Sequence, residues 1–285
     1  MTSTWTVRSL LQWARDWLSK KGVDNPRLDA ELLLAHALGC DRVRLYVDAD
    51  KPLGADELAR FKPLIQRRGA REPVAYILGT KEFYGRPFEV EKGVFIPRPE
   101  TELLVRLALE RLDKGVPRRA LDLCAGSGAV GITLAAERPL AQVDLVELSP
   151  AAAKVAERNA QKHAPGRARV LCGDLFAALP GPARYDVITA NPPYVPTVYG
   201  PQLARDILDH EPHAALFAGE DGLSVIRRIA AHLPDWLGQA ATFVVEIDPS
   251  QAAAVAGMLR DAGLAQVRVE RDLAGLDRHV IGRGP

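Results

Sequence analysis

The sequence predicts an α/β chain built as a small all-α region, a β-hairpin linker and a parallel sheet with helices on both faces. Three observations predict it. Apolar positions recur at helical spacing through the first 75 or so residues. From Tyr76 to about Phe95, Gly79, Gly85, Pro87 and Gly93 punctuate short aromatic and β-branched pieces, as in a hairpin. After residue 118, candidate strands alternate with mostly alanine-rich helical stretches, the rhythm of a parallel sheet. The expected boundaries are residues 1–75, 76–95 and 96–285.

In the first region, Val7, Leu10, Leu11, Ala14, Trp17 and Leu18 form one buried helix face. Asn25 and Pro26 read as an N-cap and first helical position, with Gly39 at the far end. Leu28, Leu32, Leu33 and Ala35 to Leu38 lie between them. A third helix is expected near Ala55, turning Leu58, Phe61, Leu64 and Ile65 inward, kinked or shortened by Pro63. The region carries 13 Lys and Arg against 10 Asp and Glu. Five of the bases, Arg60, Lys62, Arg67, Arg68 and Arg71, form either a solvated face or a docking surface. Pro97 and Pro99 predict an extended entry to a helix from about Glu100. The expected strands are Ala120–Cys124, Gln142–Leu148, Ala168–Cys172, Tyr185–Ala190, Thr242–Ile247, Gln266–Glu270 and His279–Gly282.

Composition excludes several classes. The 285 residues, 47% hydrophobic and 26% charged, fit a globular chain rather than a disordered or fibrous one. A net charge of +1 argues against gripping nucleic acid through bulk charge. Cys40, Cys124 and Cys172 show no CxxC spacing and read as buried small hydrophobes in a reducing cytosol. The six histidines show no metal-ligand spacing. No apolar run approaches the ~18 residues of a membrane span, and MTSTWTVRSLLQWARD lacks a signal peptide pattern.

ALDLCAGSGAVGITLA reads as a buried strand, a glycine loop and a helix. Gly126, Gly128 and Gly131 complete G-x-G-x-x-G, which lets backbone approach a nucleotide cofactor. Glu147 ends the next strand 21 residues after Gly126, the spacing of a ribose-binding carboxylate. This much fits a dinucleotide enzyme as well as an S-adenosylmethionine enzyme. The choice comes from YDVITANPPYVP, where the fourth strand runs into Asn191, Pro192, Pro193 and Tyr194. If the first and fourth strands are neighbours, Asn191 faces the glycine loop across the crevice. An Asn oxygen and a rigid backbone carbonyl can each accept one N–H of a planar amino group. They then stabilise positive charge as that nitrogen is methylated. Tyr194 offers its ring to a flat substrate group.

These residues carry a family resemblance. With REPVAYILGTKEFYG, IPRPETELLV, the glycine loop, Glu147, CGDLF, NPPYVP, EPHAALFAGEDGL, VVEI followed by Gln251, and DLAGLDRHVIG, the chain resembles the bacterial release factor glutamine methyltransferases, the HemK/PrmC family. The resemblance covers almost the whole chain. It implies a helical domain that helps hold the substrate, a hairpin linker, and a Rossmann-like methyltransferase domain with an antiparallel late strand. It implies S-adenosyl-L-methionine as methyl donor and S-adenosyl-L-homocysteine as product; from the composition and spacing above, a cytoplasmic monomer with no metal, direct nucleic acid or membrane partner is expected. The donor loop maps onto Cys124, Ala125, Gly126, Ser127 and Gly128, and the ribose carboxylate onto Glu147. Asn191, Pro192, Pro193 and Tyr194 map onto the substrate turn, with Asn191, Pro192 and Tyr194 catalytic and Asn191 also beside the donor. The implied substrate is the glutamine of the Gly-Gly-Gln loop of class I peptide release factors, methylated on its side-chain nitrogen in support of translation termination.

Some positions depart from the family pattern. Cys124 stands where the loop usually begins with Gly, and Leu175 replaces an aromatic residue near the adenine, with Phe176 beside it as a substitute ring. Asp174 is a further candidate adenine contact. Arg98 and Glu100 either line the donor entrance or, preferred for Arg98, hold the hairpin to the domain. The nearest rival is a ribosomal protein glutamine methyltransferase, to whose branch LDLC belongs; IPRPETE and DLAGLDR favour the release-factor branch. A DNA adenine-N6 methyltransferase would need a basic recognition surface. A dinucleotide oxidoreductase would leave NPPY without a role.

Overall fold

The computed structural model describes residues 5–181 and 183–284. The chain forms two compact units: Met1–Thr80 with Ala204–His210, and Lys81–Leu203 with Glu211–Pro285.

The first unit holds α1 (Val7–Lys20), α2 (Pro26–Leu38), α3 (Arg42–Val47), α4 (Ala55–Gly69) and α5 (Val74–Leu78). Thr6 and Ser9 cap α1 reciprocally, satisfying first-turn N–H groups. Val7, Leu10, Ala14 and Leu18 face Leu33, Leu34, Phe61, Ile65 and Ile77 in one core. Four expectations differ here. The short helix α3, capped by Asp41, lies between the expected second and third helices; six residues are too few to show periodicity. Leu28 is exposed. Helix α4 runs on through Pro63, and Tyr76 to Leu78 continue the helical unit as part of α5 rather than opening the hairpin.

The basic face of α4 is mostly engaged within the unit. Arg68 is buried between Asp29 and Asp206, each at 2.6 Å. Arg71 also pairs with Asp206. Arg67 pairs with Glu72, and Arg60 donates to the Ala37 carbonyl. Of the five bases, only Lys62 has no such bond among the described residues. The solvated face expected from the sequence is therefore corrected at Arg68, which is buried because two carboxylates meet it.

The second unit opens with the hairpin of β1 (Thr80–Phe83) and β2 (Arg86–Glu89). There follow α6 (Glu102–Leu109), β3 (Arg118–Leu123), α7 (Ala129–Glu137), β4 (Ala141–Glu147), α8 (Pro150–His163), β5 (Ala168–Cys172) and β6 (Tyr185–Ala190). After α9 (Arg205–Leu208), which belongs to the helical unit, come α10 (Ser224–Trp236), β7 (Leu237–Glu246), α11 (Ala252–Asp261), β8 (Ala265–Arg271) and β9 (Asp277–Arg283).

Seven strands form one sheet in the order β5-β4-β3-β6-β7-β9-β8. The first five in that order run parallel, and β9 pairs antiparallel with both β7 and β8. Strand residues alternate between two cores. Ala120, Val143, Leu145, Val187 and Val244 pack with α6, α7 and α8, whereas Leu121, Leu123, Val146, Ile188 and Phe243 pack with α10 and α11. Strand order reverses between β3 and β6, whose ends lie in register at Leu123 and Ala190. A crevice therefore opens where the glycine loop and the NPPY turn leave the sheet.

Candidate active site

The carboxyl ends of β5, β4, β3 and β6 carry, in that order, Asp174, Glu147, the glycine loop and Asn191. A cavity at the β3–β6 opening is lined by Phe95, Pro97, Thr101, Asp122, Cys124, Ala125, Gly126, Ser127 and Asn191, with Ala129 and Val130. Within the loop, the Gly126 N–H donates to Glu147 Oε2 at 2.7 Å, and Ser149 N–H donates to Oε1 at 2.8 Å. Each carboxylate oxygen keeps a lone pair for a further donor. Ser127 Oγ is buried without a hydrogen-bond partner among the described residues. The bare Gly126 peptide, the unpartnered hydroxyl and the Glu147 carboxylate fit a nucleoside with ribose hydroxyls. At Gly131 a Cβ would lie 2.8 Å from Leu145 Cγ and 2.9 Å from Asp122 Cβ, so the third glycine lets α7 approach the sheet.

Cys124 adopts φ 59°. That left-handed conformation costs an L residue about 1–2 kcal/mol and costs glycine nothing. Burial, then the negative charges of Glu147 and Asp122, push the Cys124 thiol up from its ordinary value. It stays a neutral, poorly nucleophilic thiol at physiological pH. All three cysteines are free. Cys40 and Cys124 are half-buried and Cys172 is exposed, which corrects the buried reading; Cys172 ends β5, at the edge of the sheet.

Asp122 is an unexpected member of the site. It accepts hydrogen bonds from Gly131 N–H at 2.9 Å and Thr189 Oγ1 at 2.8 Å. Burial nevertheless raises its pKa from 3.8 to about 7. The native carboxyl keeps its proton between those two values while the unfolded one loses it, so the group favours the native state at low pH. That contribution falls as pH rises from about 4 towards 7. Urea midpoints at pH 5, 6, 7 and 8 are expected to show the Asp122→Asn variant gaining on the parent protein up to pH 7 and no further. A difference independent of pH would contradict the raised value.

The NPPY turn is held from behind. Gln251 Nε2 donates to the Tyr194 carbonyl at 2.9 Å and to the Asp221 carbonyl at 3.3 Å. Val195 N–H donates to the Leu216 carbonyl at 2.9 Å, and Ala218 N–H returns to the Val195 carbonyl at 3.0 Å. The segment EPHAALFAGEDGL thus clamps the turn. Pro192 is buried; Asn191, Pro193 and Tyr194 are half-buried. The Tyr194 hydroxyl donates to Glu246 Oε1 at 3.4 Å, and His279 Nε2 lies 3.6 Å from Glu246 Oε2, both residues fully enclosed. Burial, then the Glu246 carboxylate, push the Tyr194 phenol up, so it remains neutral.

Other predicted positions do not line this cavity. Asp174 is paired with Arg228 at 2.6 Å. Leu175 is buried with φ 47°. Phe176 does not replace the missing ring: it stacks on Trp236 with centroids 5.5 Å apart and belongs to the α10–α11 core. Arg98 bonds Glu211 at 2.5 Å and lies over the Phe95 ring at 4.9 Å, a structural anchor. Glu100 is exposed. Sequence reasoning missed Asp122 and Thr101, although a carboxylate inside an apolar strand is itself a signal.

Family models place a PrmC N-terminal domain at residues 9–79 and a methyltransferase small domain at residues 88–221. A release factor glutamine methyltransferase of Geobacter sulfurreducens is 44% identical over 279 residues, 98% of this chain and 97% of that protein. The chain belongs to the release factor glutamine methyltransferase family. A second family member, from Burkholderia pseudomallei, is 44% identical over 90% of this chain and 92% of its own. The fold also resembles that of a methyltransferase of Pyrococcus furiosus, with TM-score 0.55 at 18% identity, covering 77% of this chain and 100% of that one. The helical unit followed by a methyltransferase domain is thus the family's arrangement, and the antiparallel β9 agrees with the expectation from resemblance. Among the described residues no helix is long and apolar enough to cross a membrane.

Proposed function

We propose that this enzyme transfers a methyl group from S-adenosylmethionine to the side-chain amide nitrogen of the glutamine in the Gly-Gly-Gln loop of class I peptide release factors. The observation that carries the reading is the NPPY turn leaving β6 beside the glycine loop of β3, in a member of this family. The residues from Cys124 to Gly128 would hold the donor, with Glu147 taking its ribose hydroxyls and Asp174 and Leu175 on the side of its base. When bound, the donor supplies an electrophilic methyl group on a cationic sulfur. An amide nitrogen is a weak nucleophile because its lone pair is delocalised into the carbonyl. Asn191 Oδ1 and a backbone carbonyl of the turn accept its two N–H groups and match the positive charge that develops on it, one of the two protons being lost to solvent once the methyl group is bound. Pro192 and Pro193 hold that carbonyl and offer no competing N–H. Tyr194 packs against the flat amide. Alignment of the reacting atoms then supplies much of the rate.

The enzyme acts as a monomer without nucleic acid, and residues 1–75 help hold the release factor. Arg60, Arg67 and Arg68 of α4 and Arg71 just after it are already bonded within their unit, so docking on that face would have to share or replace those bonds. Incubation with S-adenosylmethionine and unmodified release factor, followed by peptide mass spectrometry, is expected to find one methyl on the Gly-Gly-Gln glutamine. No methyl there, but one on a ribosomal protein glutamine in unmethylated ribosomes, would overturn the substrate assignment.

A further inference from the structure

The IPRPETELLV segment takes no part in the chemistry above, yet it borders the same cavity. Thr101 closes the turn Pro99–Thr101 that leads into α6 and is 3% exposed. Its Oγ1 accepts a hydrogen bond from Asn191 Nδ2 at 3.1 Å. A carboxamide has one accepting end and one donating end. With Nδ2 turned to Thr101, Oδ1 is the end left for the crevice. The reverse orientation would set donor against donor when a substrate N–H arrives.

We propose that Thr101 is a positioning residue for methyl transfer, holding the Asn191 carboxamide with its oxygen towards the nitrogen to be methylated. The inference rests on the role proposed above for Asn191. The hydroxyl is offered from a segment fixed on both sides. Buried Glu211 accepts from Arg98 Nη2 at 2.5 Å and from Ile96 N–H at 3.4 Å. On the other side, Glu102 Oε1 accepts the Tyr84 N–H at 2.9 Å, tying the start of α6 to the hairpin. Thr101 is also β-branched, with few rotamers open to it. Asn191 meets it from the end of β6, whose register with β3 is set by four residue pairs. Neither partner can follow the other if the bond is lost. A carboxamide free to turn would be correctly set only part of the time, and turnover would fall by that fraction.

The test compares Thr101→Val, which keeps the shape and removes the hydroxyl, with Thr101→Ser, which keeps the hydroxyl. Both are also made in an Asn191→Ala background. Single-turnover methylation of unmodified release factor gives the rate, its concentration dependence gives KM, and calorimetry gives affinity for S-adenosylmethionine. Thr101→Val is expected to lower the rate about tenfold, the effect of one hydrogen bond. KM and donor affinity should stay within about twofold, and Thr101→Ser should restore most of the rate. In the Asn191→Ala background the valine should cost nothing further, because the residue acts through Asn191. A wild-type rate in Thr101→Val overturns the proposal. So does an equal loss in Thr101→Ser, a matching loss of donor affinity, or the same tenfold cost without Asn191. Full activity of Asn191→Ala alone would instead overturn the reading on which the inference rests. Thr101→Ala makes the same comparison should the valine protein fail to fold.

Discussion

Asn191→Ala is expected to lower the single-turnover rate of methyl transfer by about 10²–10³-fold, the usual cost of removing one group aimed at developing charge. Donor affinity should remain within about twofold, because Gly126, Ser127 and Glu147 are carried by β3 and β4 and none bonds Asn191. The asymmetry between rate and affinity is the informative part. Loss of both together would make Asn191 a support for the crevice rather than an acceptor of the substrate N–H. A wild-type rate would remove it from the mechanism. Stopped reactions with labelled donor, beside calorimetry on the same preparation, measure the two quantities.

Gly222→Ala is expected to be nearly as damaging although Gly222 touches no reacting atom. Its φ is +74°, and an added Cβ would lie 2.2 Å from the Tyr194 carbonyl oxygen and 2.7 Å from Gln251 Nε2. One of these neighbours is backbone, so the NPPY turn itself must move. Displacement of a reacting geometry by about 1 Å costs about 10²-fold in rate. The left-handed conformation adds about 1–2 kcal/mol of destabilisation, a fall of about 2–4 °C in Tm for a chain of this size. Rate and Tm measured together decide it. A rate within threefold of wild type would show that the turn has room behind it.

Much of this architecture was legible in local pattern. Four apolar strand runs end in the residues that form the crevice, and the G-x-G-x-x-G spacing, Glu147 and NPPY are all written within single strand–loop units. What was not legible depends on partners far along the chain. Arg68 reads as a surface base until Asp29 and Asp206 meet it, 39 and 138 positions away. Phe176 looks available as an adenine platform until Trp236 covers it. Gly222 looks like an ordinary loop glycine; its necessity comes from a carbonyl 28 positions earlier. Thr101 carries less signal in the sequence than its charged neighbours Arg98 and Glu100, because a hydroxyl announces nothing until its partner is known. Helix α3 was too short for a period to emerge.

The placement of β9 bears on how the protein is made. It is made after β7 and β8, yet in the sheet it lies between them. Until it emerges from the ribosome, β8 has no neighbour in the sheet and β7 shows an open edge beside Glu246, whose companion His279 also arrives with β9. The α6–α8 side of the sheet can assemble on the nascent chain. The half that backs Tyr194 must wait for β9. A newly made molecule thus passes through a stage with an exposed, pairing-competent strand, and the aromatic residue of the NPPY turn gains its buried support only when that stage ends.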